Sequence, residues 1–440
     1  MSTKCLNELQ NELRNPKLNP SSNQGKSSWY HYYAGYSPKF VKDVLKYLDL
    51  PSDAIVMDPW NGSGTTTQVA KDMGFSAIGY DINPVMVIVA KAKMFDTDDM
   101  PNLLNKLESI LTTAESYGIT PFAYNEPLEI WLTPNSAAIF RNLERAMQEQ
   151  LIDDEYRVLY AEKSLTRISS LAAFFYTALF RTLRRFLDAF ITSNPTWIKA
   201  PQTQNDKLSP SANQIYSMIE EQIFDMMKAL KSPKNIDHSK SIQFQIERAS
   251  SDSIPLLDQS INAVISSPPY CTRIDYAIAT KPELALLGCS MDTDLKALRD
   301  HMIGTPTMLK AIPQVQSEWG PTCREFLDAV AAHQSKASKS YYLKYHLQYF
   351  DAIYRSLIEI ERILAGSGYC TLVVQDSYYK EVHNDLPRIF TEMACSLGWD
   401  KLNQLDFNIK RTMAGCNQRA KKYRRHSKAT ESVLIFQKVN

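Results

Sequence analysis

The chain has 440 residues, of which 44% are hydrophobic and 22% charged, a composition that excludes disordered and collagen-like proteins. The formal net charge is +1, and the seven cysteines form no CxxC pair, which argues against a zinc knuckle or disulfide framework and favours a reducing cytoplasm. Residues 1–20 lack the apolar core of a signal peptide, and the longest mainly apolar run, 168–180, is too short to cross a bilayer, so we expect no membrane segment.

The first structured part of the chain alternates between strand and helix patterns. Residues 1–28 are polar and are predicted to be a flexible segment. A helix is predicted from Pro38, and the short apolar run 54–57 precedes a glycine-containing turn and a second helix. Another strand ending near Tyr80 and a third helix follow. This order predicts parallel strands with right-handed crossovers, and we assign 29–94 to the first part of a catalytic domain.

The pattern then changes, and later returns. Residues 95–240 show helical periodicity almost throughout, which predicts a helical insertion of about one domain's length. Strand patterns resume in 241–440, at 242–246, 261–265, 369–374, 402–409 and 432–436, and helices are predicted at 281–345, 345–364 and 386–399. The fold class is therefore α/β, with a doubly wound, mostly parallel sheet of seven strands.

The glycines indicate a ligand site. The chain has 14, and Gly62, Gly64, Gly74 and Gly79 fall within eighteen residues. The turn in DPWNGSGTT (58–66) lets backbone N–H groups approach a ligand, but no lysine follows at the Walker position, which argues against phosphate binding. Asp81 lies at the end of the next strand, where a carboxylate bonds ribose hydroxyls in nucleotide-binding folds. A lone GxG is also typical of an ordinary turn, but together with Asp81 it predicts a nucleoside-containing cofactor.

The segment SPPY (267–270) directly follows a predicted buried strand. Its two prolines cannot continue the ladder and leave carbonyl acceptors exposed. A hydroxyl, a fixed carbonyl and an aromatic ring suit a planar group that carries an exocyclic amine. A structural Pro-Pro turn would explain the segment if it stood alone.

Together these motifs resemble those of the DNA amino-methyltransferases. DPWNGSGTT with the acidic residue of GYDINP resembles their S-adenosylmethionine motif, and SPPY resembles their catalytic motif in its N4-cytosine form. YHYYAGYSPKF (30–40) resembles the element that closes over the methionine part of the cofactor. The resemblance covers 29–94 and 241–440, and it implies a Rossmann-like methyltransferase fold with S-adenosyl-L-methionine as cofactor and no metal.

The resemblance also implies roles for individual residues. Asp81 would bind the ribose, Ile82 would flank the adenine, and Asp252 would reach the adenine amine, although SSD replaces the family's Gly-Asp-Ala there. The full set of implied cofactor-binding residues is Tyr33, Ser37, Asp58, Trp60, Asn61, Gly62, Gly64, Thr65, Asp81, Ile82 and Asp252. The implied catalytic residues are Ser267, Pro268, Pro269 and Tyr270. Ser267 and Pro268 would hold the amine of a flipped-out base on which Tyr270 stacks.

Basic residues indicate a polyanionic partner, expected to be double-stranded DNA. Residues 408–440 hold nine Lys or Arg against a single glutamate, although a solvated loop would look the same. The candidate nucleic-acid contacts are Arg273, Arg411, Arg419, Lys421, Lys422, Arg424 and Arg425. Asp275 and Tyr276 either belong to a salt-bridged helix cap or approach the base or cofactor. Three arginines of the insertion, at 181, 184 and 185, either contact phosphates or form the solvent-exposed face of a core helix.

The sequence thus predicts a site-specific DNA methyltransferase, with cytosine N4 favoured over adenine N6. Because 95–240 lies between the cofactor motif and the catalytic motif, we expect it to recognise the target sequence. An RNA methyltransferase ranks lower, since only about 28 residues precede the predicted fold. A non-catalytic DNA-recognition module of a defence system is a further alternative, and a cognate restriction or phage-defence partner is possible.

Overall fold

A computed structural model describes residues 13–18, 24–32, 35–120, 125–153, 155–192, 197–230, 242–271, 274–309, 311–409 and 429–439. The strands of its main sheet are β1 (Ile55–Asp58), β2 (Ser76–Asp81), β3 (Phe244–Arg248), β4 (Ile261–Ser266), β5 (Leu364–Gln375), β8 (Trp399–Ile409) and β9 (Ala429–Lys438). These seven strands lie in the order β3-β2-β1-β4-β5-β9-β8. Strands β1 to β5 pair in parallel, and β9 runs antiparallel to both β5 and β8. The predicted doubly wound, mostly parallel seven-stranded sheet is confirmed.

A separate hairpin of β6 (Ser377–Tyr379) and β7 (Val382–Asn384) was not predicted. Its two-residue turn contains Lys380 at φ 56° instead of the Asn-Gly or Asp-Gly pair that usually marks such a turn. The short strands and the atypical turn gave no recognisable sequence signal.

Thirteen α-helices lie within the described ranges: α1 (Pro38–Leu48), α2 (Thr65–Asp72), α3 (Pro84–Ala92), α4 (Leu103–Ser116), α5 (Pro134–Leu151), α6 (Ser170–Phe186), α7 (Ala212–Lys228), α8 (Tyr276–Ala279), α9 (Lys281–Leu286), α10 (Asp294–His301), α11 (Gly320–Ala332), α12 (Leu343–Ile363) and α13 (Leu386–Ser396). A π-helical turn, Ser338–Tyr342, leads into α12. Short 3-10 turns occur at Gly25–Ser28, Thr97–Asn102, Pro127–Ile130, Leu159–Ala161, Leu187–Phe190, Gln204–Asp206 and Ser317–Trp319. The helical character of the insertion is confirmed, whereas the predicted helical stretch 281–345 is broken at 287–293, 302–309, 311–316 and 333–337.

Successive side chains of the central strand point to opposite faces of the sheet, as strand geometry requires. Val56 packs on one face with residues of α1 and α2, and Met57 packs on the other with residues of α11, α12 and α13. The helices of the insertion, α4 to α7, form a third apolar cluster with α3 and α9. The insertion therefore shares its core with the helix that follows β2.

The strand order places a crevice at the centre of the sheet. Strand β1 has β2 on one side and β4 on the other, so the connections leave β1 and β4 in opposite directions. In open α/β sheets ligands bind outside the carboxyl ends of the strands at such a point. None of the helices in the described ranges is both long and apolar enough to span a membrane.

Candidate functional site

A cleft of about 900 Å³, counting the space open to solvent, lies at the carboxyl ends of β1, β2 and β4. Ten of the residues predicted for the site line it: Trp60, Asn61, Gly62, Thr65, Asp81, Ile82, Ser267, Pro268, Pro269 and Tyr270. Residues 58–82 and 267–270 are about two hundred positions apart in the chain. The structure brings the predicted cofactor loop and the predicted catalytic loop into one cavity.

The turn after β1 needs glycine at two positions. Gly62 has φ 48° and Gly64 has φ 77°, a left-handed conformation that L side chains rarely adopt. A Cβ on Gly64 would lie 2.7 Å from the Cβ of Ala90 on α3. The Gly62 N–H donates to Asp81 Oδ2 at 2.9 Å, so the turn is tied to the end of β2.

Asp81 is held by the backbone around it. Its second oxygen accepts a hydrogen bond from the Asn83 N–H at 2.8 Å. A carboxylate offers about four acceptor positions, so about two remain for ligand hydroxyls. Burial raises the pKa of Asp81 to about 6, above its ordinary value of 3.8. Burial thus disfavours the ionised carboxylate, and hydrogen-bond donors from a ligand would stabilise it.

Asp58, at the end of β1, is fully buried and does not line the cleft. Its carboxylate accepts hydrogen bonds from the Trp60 N–H at 3.1 Å and the Tyr36 hydroxyl at 3.2 Å, and also from Ser266. Burial raises the pKa of Asp58 to about 6. The carboxylate therefore fixes the shape of the loop from behind.

Two buried donors at the cleft have no partner among the described residues, namely Trp60 Nε1 and Asn61 Nδ2. Asn61 packs so closely against Gly79 that a Cβ there would lie 2.4 Å from Nδ2. Buried polar groups are normally hydrogen-bonded. Unpaired donors beside a glycine turn and a carboxylate fit a polar nucleoside ligand.

The loop 267–270, predicted to be catalytic, lines the cleft. The Ser267 hydroxyl donates to the Val373 carbonyl at 3.3 Å, which uses its single proton and leaves its lone pairs to accept. The Pro269 carbonyl accepts a hydrogen bond from the Tyr349 hydroxyl at 2.9 Å, which anchors the second proline to α12. The Ser267 hydroxyl therefore keeps acceptor capacity where it lines the cleft.

Tyr270 is fixed at both its ends. Its N–H donates to the Tyr276 hydroxyl at 3.3 Å, and its own hydroxyl donates to Glu431 Oε1 on β9 at 3.0 Å. Burial raises the pKa of Tyr270 well above its ordinary value, so the hydroxyl stays protonated. A Cβ on Gly304 would lie 2.8 Å from the Tyr270 carbonyl oxygen, which shows how closely that segment packs on the loop.

The sequence reasoning missed several residues that line the cleft. Ser250 and Ser251 follow β3, and His301, Met302 and Ile303 come from the segment after β4. Tyr276, which the sequence left open as a cap or a site residue, also lines the cleft. The region 290–340 carried no motif, and its contribution depends on tertiary packing. In YHYYAGYSPKF the structure puts Tyr32 and Tyr36 at the cleft, and of the residues suggested by the motif Ser37 does not line it, whereas Tyr33 lies outside the described residues.

Other predicted residues lie elsewhere. Ser37 is buried at the N-terminus of α1, where its N–H donates to the Pro16 carbonyl at 2.7 Å. Gly64 does not line the cleft; it lies in the loop and packs against Ala90 of α3. Asp252 does not line the cleft, and its carboxylate pairs with Arg355 and accepts a hydrogen bond from Ser250. Tyr33, Arg273 and the basic residues Arg411, Arg419, Lys421, Lys422, Arg424 and Arg425 lie outside the described residues.

The structure decides between the two interpretations of Asp275 and of two insertion arginines. Asp275 caps α8 by accepting from the Ile278 N–H at 3.1 Å and pairs with Arg299 at 2.7 Å, which matches the salt-bridged cap. Arg184 forms an ion pair at 2.5 Å with Glu283, a fully buried carboxylate. Arg181 donates to the Trp29 carbonyl at 3.0 Å. Two of the three insertion arginines therefore hold the fold together.

The chain is similar in sequence to known methyltransferases. Residues 8–92 match the model of an N6/N4 methyltransferase family described as DNA methylase. The Type II methyltransferase M.BsoBI of Geobacillus stearothermophilus is 24% identical over 298 residues, which make up 64% of this chain and 55% of that protein. The Type II methyltransferase M.MjaII of Methanocaldococcus jannaschii is 33% identical over 79 residues, 17% of this chain and 14% of that protein. The chain thus spans about half the length, or less, of these curated relatives.

These matches confirm the resemblance to the N4/N6 DNA amino-methyltransferases and support S-adenosylmethionine as the cofactor. The crystal structure of the YcgJ protein from Bacillus subtilis aligns with 91% of this chain and 98% of its own, at 8% identity and a TM-score of 0.31. The fold is defined by the order and direction of the seven strands and not by this weak structural similarity.

Proposed function

We propose that this chain is an S-adenosylmethionine-dependent DNA methyltransferase that modifies the exocyclic amine of a flipped-out base. The observation that carries the proposal is the meeting of the glycine turn, Asp81 and the loop 267–270 in one cleft. Trp60, Asn61, Gly62 and Thr65 would line the methionine end of the cofactor, and Asp81 would bind the ribose. The cofactor supplies a methyl group on a sulfonium sulfur.

The loop 267–270 positions the exocyclic amine of the target base. The lone pair of an exocyclic amine is delocalised into the base, so the nitrogen is a poor nucleophile. The Ser267 hydroxyl and the Pro268 carbonyl accept its two N–H bonds, which favours a tetrahedral nitrogen whose lone pair faces the methyl group. Tyr270, held by Glu431, stacks on the base. Extraction of the base from the duplex costs stacking and pairing energy that these contacts offset.

Cytosine N4 is the favoured target. The supporting feature is the serine of SPPY, because the resemblance links this form of the motif with N4-cytosine enzymes. The acceptor capacity of the Ser267 hydroxyl suits the amine of either base. The choice between cytosine and adenine is therefore a proposal that product analysis must test.

We further propose that the insertion, 95–240, contacts the target sequence. Its position between the two motifs supports this role, and so do its exposed apolar side chains Ile191 and Trp197, each about half exposed. Because α4 to α7 share a core with α3, a test should exchange exposed residues and keep the helices. Unchanged site preference after such exchanges would contradict the role.

Methyl transfer from labelled S-adenosylmethionine to double-stranded DNA tests the proposal. Removing one oriented polar group from an active site typically slows catalysis by roughly 100-fold or more, and we expect this for Ser267→Ala. Ser260→Ala is the matched control, because Ser260 lies just before β4, at the opposite end from Ser267. Full activity of Ser267→Ala, or methylation of RNA in place of DNA, would refute the proposal.

A further inference from the structure

A small side cavity opens beside the cleft. Both are lined by Tyr32, Gly35, Tyr36, Ser63 and Thr65, so the side cavity adjoins the glycine turn. Its volume is about 300 Å³, counting the space open to solvent, a third of the corresponding volume of the cleft. A space of this size suits one small polar group of a ligand that otherwise occupies the cleft.

Lys93 supplies a positive charge to this side cavity. It follows α3 directly and is only 2% exposed. Its ammonium donates to the Ser63 hydroxyl at 3.3 Å, and no carboxylate of the described residues contributes to its charge state. An ammonium has three donors, so the contacts with the described residues leave two for a ligand. Burial lowers the pKa of Lys93 to about 7, which shows that its charge lacks compensation.

The neighbouring Lys91 is a useful contrast. It is also buried, but its ammonium donates to the Leu165 carbonyl at 2.7 Å and the Ile168 carbonyl at 3.0 Å. These bonds tie α3 to the insertion. Lys91 therefore has a structural role, whereas Lys93 lines the side cavity and its ammonium donates, among the described residues, to Ser63 alone.

A helix end that lines the side cavity also favours an anion. Thr65 is the first residue of α2 and lines both cavities, and the N-terminus of a helix carries a partial positive charge. The ammonium, the Ser63 hydroxyl and this helix end together form a site for a negatively charged group. In S-adenosylmethionine the sulfonium and the amino group are cationic, so the carboxylate is the single anionic group that could fill it.

We propose that Lys93 binds the carboxylate of the cofactor's amino-acid part in this side cavity. The inference rests on the proposed function, because it assumes that the cleft holds S-adenosylmethionine. It makes Lys93 a cofactor-binding residue that recognises the amino-acid end and not the nucleoside.

Calorimetric binding of two ligands tests this inference. S-adenosylhomocysteine carries the amino-acid part, and 5′-methylthioadenosine keeps the nucleoside and sulfur but lacks the carboxylate. We expect Lys93→Met to weaken S-adenosylhomocysteine binding by about 30-fold (about 2 kcal/mol), as loss of one partner of a buried charge pair does, and to change 5′-methylthioadenosine binding by less than about twofold. Lys91→Met should leave the ratio of the two affinities unchanged.

Three results are decisive. Lys93→Met should unfold at the same temperature as the wild type or higher without ligand, because it removes an uncompensated buried charge. Equal losses for both ligands, or no loss for either, would overturn the role of Lys93 while leaving the proposed function intact. A wild-type protein that binds neither ligand would overturn the proposed function itself.

Discussion

A pair of glycine substitutions tests the geometry of the cofactor loop. Gly64 and Gly74 both have left-handed backbones, with φ 77° and 86°. An alanine in this conformation costs about 1–2 kcal/mol at either position. At Gly74 a Cβ would meet nothing within 4 Å, whereas at Gly64 it would lie 2.7 Å from the Ala90 Cβ and 2.9 Å from its Cα. Overpacking of this kind adds about 1–3 kcal/mol.

We therefore expect Gly64→Ala to lower the free energy of unfolding by about 2–5 kcal/mol and Gly74→Ala by about 1–2 kcal/mol. Equilibrium urea unfolding followed by circular dichroism measures both, and Gly74→Ala is the control for backbone strain. Gly64→Ala should also weaken S-adenosylhomocysteine binding, because relief of the clash moves the loop that lines the cleft. Equal destabilisation by the two substitutions would refute the close approach of α3 to the loop.

Two further predictions concern buried charges. Because the pKa of Asp81 is raised from 3.8 to about 6, its ionisation penalises the folded state above pH 6, and the penalty disappears as the pH falls to 4. The stability of Asp81→Asn relative to the wild type should thus rise by about 3 kcal/mol between pH 4 and pH 7 in urea unfolding, and a flat difference would contradict it. Arg184→Met removes the ion-pair partner of the buried Glu283 carboxylate, to which the Tyr30 hydroxyl still donates, and should cost about 3–5 kcal/mol. Arg185→Met, at an exposed position, should change stability by less than about 0.5 kcal/mol, and the same loss from both would contradict the buried pair.

Much of the fold could be predicted because local patterns specify it. Short apolar runs alternate with helical periodicity, and the chirality of crossovers then limits the possible strand orders. The cofactor loop was also predictable, because a glycine turn after a buried strand and a carboxylate after the next strand are both local signals. The hairpin of β6 and β7 lacked such a signal.

The other parts of the candidate site depend on contacts between distant segments. Nothing near Glu431 in the sequence indicates that its carboxylate meets the Tyr270 hydroxyl. Lys93 looks like an exposed lysine at the end of a helix, but tertiary packing leaves it only 2% exposed. The sequence also did not indicate that Tyr32 and Tyr36 line the cleft, since the phase of an irregular segment cannot be read from its sequence.

The central claim is that the cleft methylates an exocyclic amine of a DNA base. Expression of the chain in a methylation-free host, followed by modification-sensitive long-read sequencing, tests it most directly. The account predicts methyl groups on cytosine N4 within a fixed sequence motif, and an unmodified genome when the host expresses Ser267→Ala. An unmodified genome with the wild-type chain, although the purified protein binds S-adenosylhomocysteine, would contradict it.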